Sequence, residues 1–133
     1  MKVTLICVGK IKEKFYKDAI AEYSKRLSKY CKLNIVEVDD EKTPDGASEK
    51  VCNAIMDKEA ERIIQHIPQD AYVISLAIEG DKYDSVTFAK KIDRLGIEGT
   101  SNIVYIIGGS LGLAKTVKSK SKMLLWESLI FAL

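Results

Sequence analysis

Gly108, Gly109 and Gly112 follow directly on the five apolar residues Ile103–Ile107, in the run S-N-I-V-Y-I-I-G-G-S-L-G-L from Ser101 to Leu113. Residues without a Cβ let the backbone turn tightly and come close to a ligand. A short, wholly apolar, β-branched run reads as a strand buried on both faces, as in a parallel sheet. Ligands of such sheets lie beyond the carboxyl ends of the strands. The loop is neither a P-loop, since it lacks the GK[ST] ending, nor a G-x-G-x-x-G fingerprint. By itself it is either a ligand cradle or a tight strand-to-helix turn.

No other constellation announces a reaction. His66, the single histidine, stands at the end of a polar helix pattern beside Pro68 and reads as a solvated helix terminus. Glu59 and Arg62, three apart, read as a surface ion pair. Ser110 has no G-x-S-x-G frame and no histidine partner in sequence. Tyr16, Tyr23 and Tyr30 recur every seven residues and read as a packed helix face. Lys115, Lys118, Lys120 and Lys122 follow the glycine loop. They form a solvated face or, beside a ligand crevice, a surface that meets phosphates. Cys7, Cys31 and Cys52 show no metal-ligand spacing and fit reduced thiols, and no metal is expected.

These residues need a scaffold, and its elements can be read in order. Strands are expected at Val3–Val8, Leu33–Val38, Tyr72–Ile78 and Ile103–Ile107, with a short fifth within Met123–Leu133. Helices are expected over Lys12–Tyr30, with Phe15, Ala19, Tyr23, Leu27 and Tyr30 on one face, and from a Ser48 cap to His66. Two more are expected, from a Ser85 cap to Leu95 and over Leu113–Ser121. Strict alternation of strand and helix predicts an α/β fold, a parallel sheet with helices on both faces, in one domain spanning residues 1–133. A net charge of +2, from 21 basic and 19 acidic residues, does not by itself advertise a nucleic-acid binder. No run approaches the roughly 20 apolar residues that span a bilayer, and the first eight residues lack a cleavage site, so the chain reads as cytoplasmic.

Several blocks together resemble one family. V-G-K-I-K-E-K-F-Y-K-D-A-I-A-E-Y-S-K-R-L (Val8–Leu27), I-V-E-V-D-D-E-K-T-P (Ile35–Pro44), K-E-A-E-R-I-I (Lys58–Ile64), I-S-L-A-I-E-G (Ile74–Gly80) and V-Y-I-I-G-G-S-L-G-L (Val104–Leu113) occur in the order found in bacterial 23S rRNA pseudouridine N3-methyltransferases. At Ala60 that family usually has glycine. These enzymes belong to the SPOUT class of knotted methyltransferases. The resemblance implies S-adenosylmethionine as cofactor and N3 of a pseudouridine in helix 69 of 23S rRNA as target, methylated on the assembled ribosome by a homodimer. It implies cofactor contacts at Leu76, at Gly108, and in a third loop matching Ser128, Leu129, Ile130, Phe131, Ala132 and Leu133. The family's Pro-His pair, following helix and terminal Tyr-His have no counterpart before Leu133. The knot is therefore expected to be incomplete in this chain and the chain inactive as it stands, and no catalytic residue is carried over. Two other readings stay open: a binding module for RNA or protein that has lost catalysis, and an unrelated flavodoxin-like nucleotide binder.

Overall fold

The computed structural model describes residues 1–126. The expectations for Ser128–Leu133, the third cofactor loop and the knot among them, lie outside the described residues.

β1 (Lys2–Val8), β2 (Lys32–Val38), β3 (Tyr72–Ala77), β4 (Asn102–Ile107) and β5 (Met123–Trp126) form one sheet in the order β2-β1-β4-β3-β5. Every pairing is parallel. The three strands with the most continuous apolar runs occupy the centre, as expected of strands covered on both faces. Ile6, Ile74, Ile103, Val104 and Ile106 are wholly buried there. The sheet order differs from the 2-1-3-4-5 order of flavodoxin-like folds, which sets that reading aside.

α2 (Glu49–Ile64) and α4 (Lys115–Lys120) cover one face, packing Ala60, Ile63 and Val117 onto Ile6, Val104 and Ile106. α3 (Ser85–Ile97) covers the other, where Phe88, Ile92 and Leu95 meet Ile74 and Ile103. Ser48 caps α2 as expected, its hydroxyl accepting from Val51 N at 3.3 Å. α3 is capped by Asp84 rather than Ser85: the carboxylate accepts from Thr87 N at 2.7 Å, and Ser85 is the first helical residue. A carboxylate caps with charge as well as shape, and it benefits from the positive end of the helix dipole. Ile78 is not part of β3; it is 76% exposed and begins the turn beyond it.

α1 (Lys14–Leu27) is the largest departure from expectation. Its face of Phe15, Tyr23 and Leu27 is exposed, and no α1 residue is buried. Phe15 and Tyr23 are each 62% exposed, and Tyr30, beyond the helix end, is more so. Helical spacing states which side is apolar, not what covers it. Among the described residues α1 packs against the edge strand β2, whose own Ile35 is half open.

Candidate functional site

β1 continues through α1 to β2 on one side of the sheet, whereas β4 leads through α4 past β3 to β5 on the other. Strands that part in this way leave a crevice at their carboxyl ends. Here an open crevice of about 1280 Å³ runs from the end of β1 to the end of β3, with the glycine loop between them. Leu76, Gly108 and Gly109 all border it, so two contacts expected from distant parts of the sequence share one site.

The glycines of the loop do different work. Gly112 lies at φ +87°, a left-handed conformation suited to glycine, and its N–H donates to Gly109 O at 3.0 Å to close the turn. Gly108 is required for close approach: a Cβ there would lie 2.8 Å from Gly112 O and 3.0 Å from Leu113 Cδ2. Leu113 and Ala114 are buried behind the turn and anchor it to the core.

α4 forms the next wall, and its end is tied to the sheet. Wholly buried Ser75 on β3 shares a 2.6 Å hydrogen bond with Ser121, whose hydroxyl also lies 2.9 Å from Val117 O. Lys118 on α4 pairs with Glu79 just past β3, closing a bridge between two sides of the crevice. That bond to Lys118, followed by one from its own backbone, holds the Glu79 carboxyl below its ordinary value of 4.5. The contribution of the pair is therefore present above the ordinary glutamate range and lost as pH falls through the lowered value. Both side chains are substantially solvated, so Lys118→Ala is expected to cost less than about 1 kcal/mol, read from urea midpoints at neutral pH. At the far edge Trp126 lines the crevice, with Lys82 Nζ 4.7 Å from its ring centre.

Glu59 is the correction of greatest consequence. It forms no ion pair with Arg62. It is only 4% exposed, its Oε2 accepting from Glu41 N at 3.0 Å. Arg62 instead donates to Asp39 O at 2.8 Å and pairs with Glu41. Burial, reinforced by Asp40 and partly opposed by the Glu41 N–H and Arg62, pushes the Glu59 carboxyl above its ordinary 4.5. Its stability contribution is thus full below the ordinary glutamate range and is lost as pH rises through the raised value. Glu59→Gln, which stays uncharged, is expected to match wild type in acid and to gain on it toward neutral and alkaline pH. Paired thermal melts across that range check the sign.

No cluster of three His, Cys, Asp or Glu side chains suited to a metal exists among the described residues. His66 is exposed beyond the end of α2 and outside the crevice. Cys7 does line the crevice, but burial, then Glu37, raises its thiol pKa, which disfavours the nucleophilic thiolate. Among the described residues the crevice is lined by the glycine-loop backbone and by apolar side chains such as Leu76, Leu111 and Trp126, with the Glu79–Lys118 pair at its wall.

Residues 1–130 match the family model described as "Predicted SPOUT methyltransferase". The chain belongs to the SPOUT methyltransferase family. It is 58% identical over 125 residues to ribosomal RNA large subunit methyltransferase H of Bifidobacterium adolescentis, covering 94% of this chain and 79% of that protein. It is 54% identical over 121 residues to the protein of the same name from Clostridium novyi, covering 91% and 76%. A protein named putative ribosomal RNA large subunit methyltransferase H, from Methanococcus maripaludis, shows 54% identity over the same shares. As a SPOUT methyltransferase the chain needs a methyl donor and an acceptor brought together, and the crevice at the strand ends is where its own residues converge. No helix among the described residues is long and apolar enough to cross a membrane.

Proposed function

We propose that this SPOUT methyltransferase transfers a methyl group from S-adenosylmethionine to N3 of a pseudouridine in helix 69 of 23S rRNA, on the assembled ribosome in the cytoplasm. The observation that carries the reading is the convergence of Leu76 and the 108–112 glycine loop on one crevice. It is supported by relatives that bear a ribosomal RNA methyltransferase name.

The residues present fit that donor. Strand-end and glycine-loop backbone can hydrogen-bond a nucleoside, while Leu76, Leu111 and Trp126 offer apolar walls. Leu76 and Gly108 would hold it, and the segment Ser128, Leu129, Ile130, Phe131, Ala132 and Leu133 would supply the third loop. The bound donor supplies an electrophilic methyl carbon. What the chain supplies is placement, since an in-line approach of acceptor nitrogen to methyl carbon removes much of the entropic barrier. Lys10 and Lys115, exposed at the crevice rim, give phosphates of the RNA a place to settle.

The working form in this reading is a homodimer, and the uncovered apolar face of α1 supports it. Sedimentation of the protein expressed from its complete gene is expected to give a dimer; a monomer at all concentrations would count against that part. The reaction itself is tested with the same protein, labelled S-adenosylmethionine and ribosomes lacking the modification. Label is expected in 23S rRNA at a single pseudouridine of helix 69. Label in another RNA, or cofactor binding without transfer, would overturn the assignment, the latter favouring a binding module.

A further inference from the structure

Beneath the glycine loop sits a carboxylate that the reaction as described does not use. A Cβ added at Gly109 would come within 3.3 Å of both Glu59 oxygens and 3.2 Å of Val8 Cγ1. The Glu59 carboxylate therefore fills the side of Gly109 on which any other residue would project its side chain, at the end of β1. Glu59 is itself fixed, because its neighbours Ile55, Ala60 and Ile63 on α2 are buried. Its Oε2 is occupied by Glu41 N, from the segment between β2 and α2. One side chain thus links α2 to the 39–41 segment by a hydrogen bond and faces the loop after β4 at Gly109.

We propose that Glu59 is a positioning residue for the glycine loop, its buried carboxylate forming the floor that sets where the 108–112 backbone lies. This rests on reading that loop as the cofactor loop. A planar group with an acceptor suits the place. It is thin enough to lie under Gly109, and it binds the Glu41 N–H that an apolar side chain would leave without this partner. Gln keeps the shape and an acceptor oxygen; Ala keeps neither and leaves a void under the loop. Glu59 faces the loop, not the reacting atoms, so its effect falls on the geometry and affinity of the loop.

The test compares Glu59→Ala, Glu59→Gln and Arg62→Ala by amide hydrogen exchange and by calorimetric titration with S-adenosylmethionine. Arg62→Ala is the control, since it frees Asp39 and Glu41 without touching the glycine loop. In Glu59→Ala the Gly112 N–H is expected to exchange about tenfold faster, and the cofactor to bind about tenfold more weakly, with circular dichroism unchanged. Glu59→Gln should restore both to within about twofold. Arg62→Ala should loosen residues 39–41 only. Should Glu59→Ala fail to fold, Gly109→Ala presses on the same carboxylate from above and is expected to weaken the cofactor similarly; unchanged affinity there overturns the proposal. So does wild-type exchange at Gly112 in Glu59→Ala, or equal loosening of the loop by Arg62→Ala. Exchange is measured without cofactor, so a wild-type protein that binds no S-adenosylmethionine refutes the cofactor reading while the exchange data still decide the role of Glu59.

Discussion

Gly108→Ala is expected to cripple cofactor binding while leaving a folded protein. The added methyl would meet Gly112 O at 2.8 Å and Gly112 C at 2.9 Å, backbone atoms that no rotamer change can move. The loop must open, and overpacking of this kind costs about 1–3 kcal/mol. The urea midpoint should fall at unchanged slope, marking lost stability without altered unfolding. Affinity for S-adenosylmethionine should fall at least about tenfold, equivalent to about 1.4 kcal/mol. Gly108→Val, bulkier and β-branched, should do more. Gly46→Ala separates strain from site: Gly46 lies at φ +67° with open space around it, in the β2–α2 connection and outside the crevice. It should lose about 1 kcal/mol of stability and no affinity. Equal affinity in Gly108→Ala and Gly46→Ala would remove the glycine loop from the site.

Gly80→Ala is expected to be the more damaging to the fold. A Cβ there would collide with the Leu125 carbonyl carbon and lie 2.6 Å from Trp126 N and 2.7 Å from Leu125 O. Those atoms belong to β5, held beside the turn by Asp81 N donating to Leu124 O and Trp126 N donating to Asp81 O, each at 2.8 Å. Relief requires β5 to move away. That breaks both bonds, at about 0.5–1.5 kcal/mol each, in addition to the strain. Trp126 is the single tryptophan, so its fluorescence reports the displacement directly. A red-shifted emission and a lower denaturation midpoint are expected. Wild-type emission with an unchanged midpoint would show that β5 is not locked to the turn as described.

The two glycines also show what a sequence can disclose. Gly108 stood out because a buried-strand pattern ran straight into it, and local pattern suffices to place a loop at a strand end. The alternation of strands and helices gave the parallel sheet for the same reason. The order β2-β1-β4-β3-β5 depends on long-range pairing and left no local trace. Glu59 was misread because its spacing from Arg62 fits an exposed helical pair. Its burial depends on the glycine loop and residue 41 closing over it, contacts about 50 and 18 positions away in sequence. A charged residue beside the apolar Ala60 and Ile63 was the available signal, and it is a weak one. The α1 aromatics were misread in the opposite sense: their spacing was correctly helical, yet their cover was assumed. Ser75, within an otherwise apolar strand, gave no hint of its bond to Ser121.

If the crevice at the carboxyl ends of β3 and β4 receives S-adenosylmethionine, as proposed, the cofactor must perturb the residues that line it. Titration of the ¹⁵N-labelled protein with the cofactor, followed by amide chemical shifts, tests it most directly. The expected result is saturable shifts concentrated at Leu76–Glu79 and residues 108–113, with the amides at the opposite ends of the same strands, Tyr72 and Asn102, unmoved. Shifts centred on the exposed face of α1, or none at saturating cofactor, would contradict it.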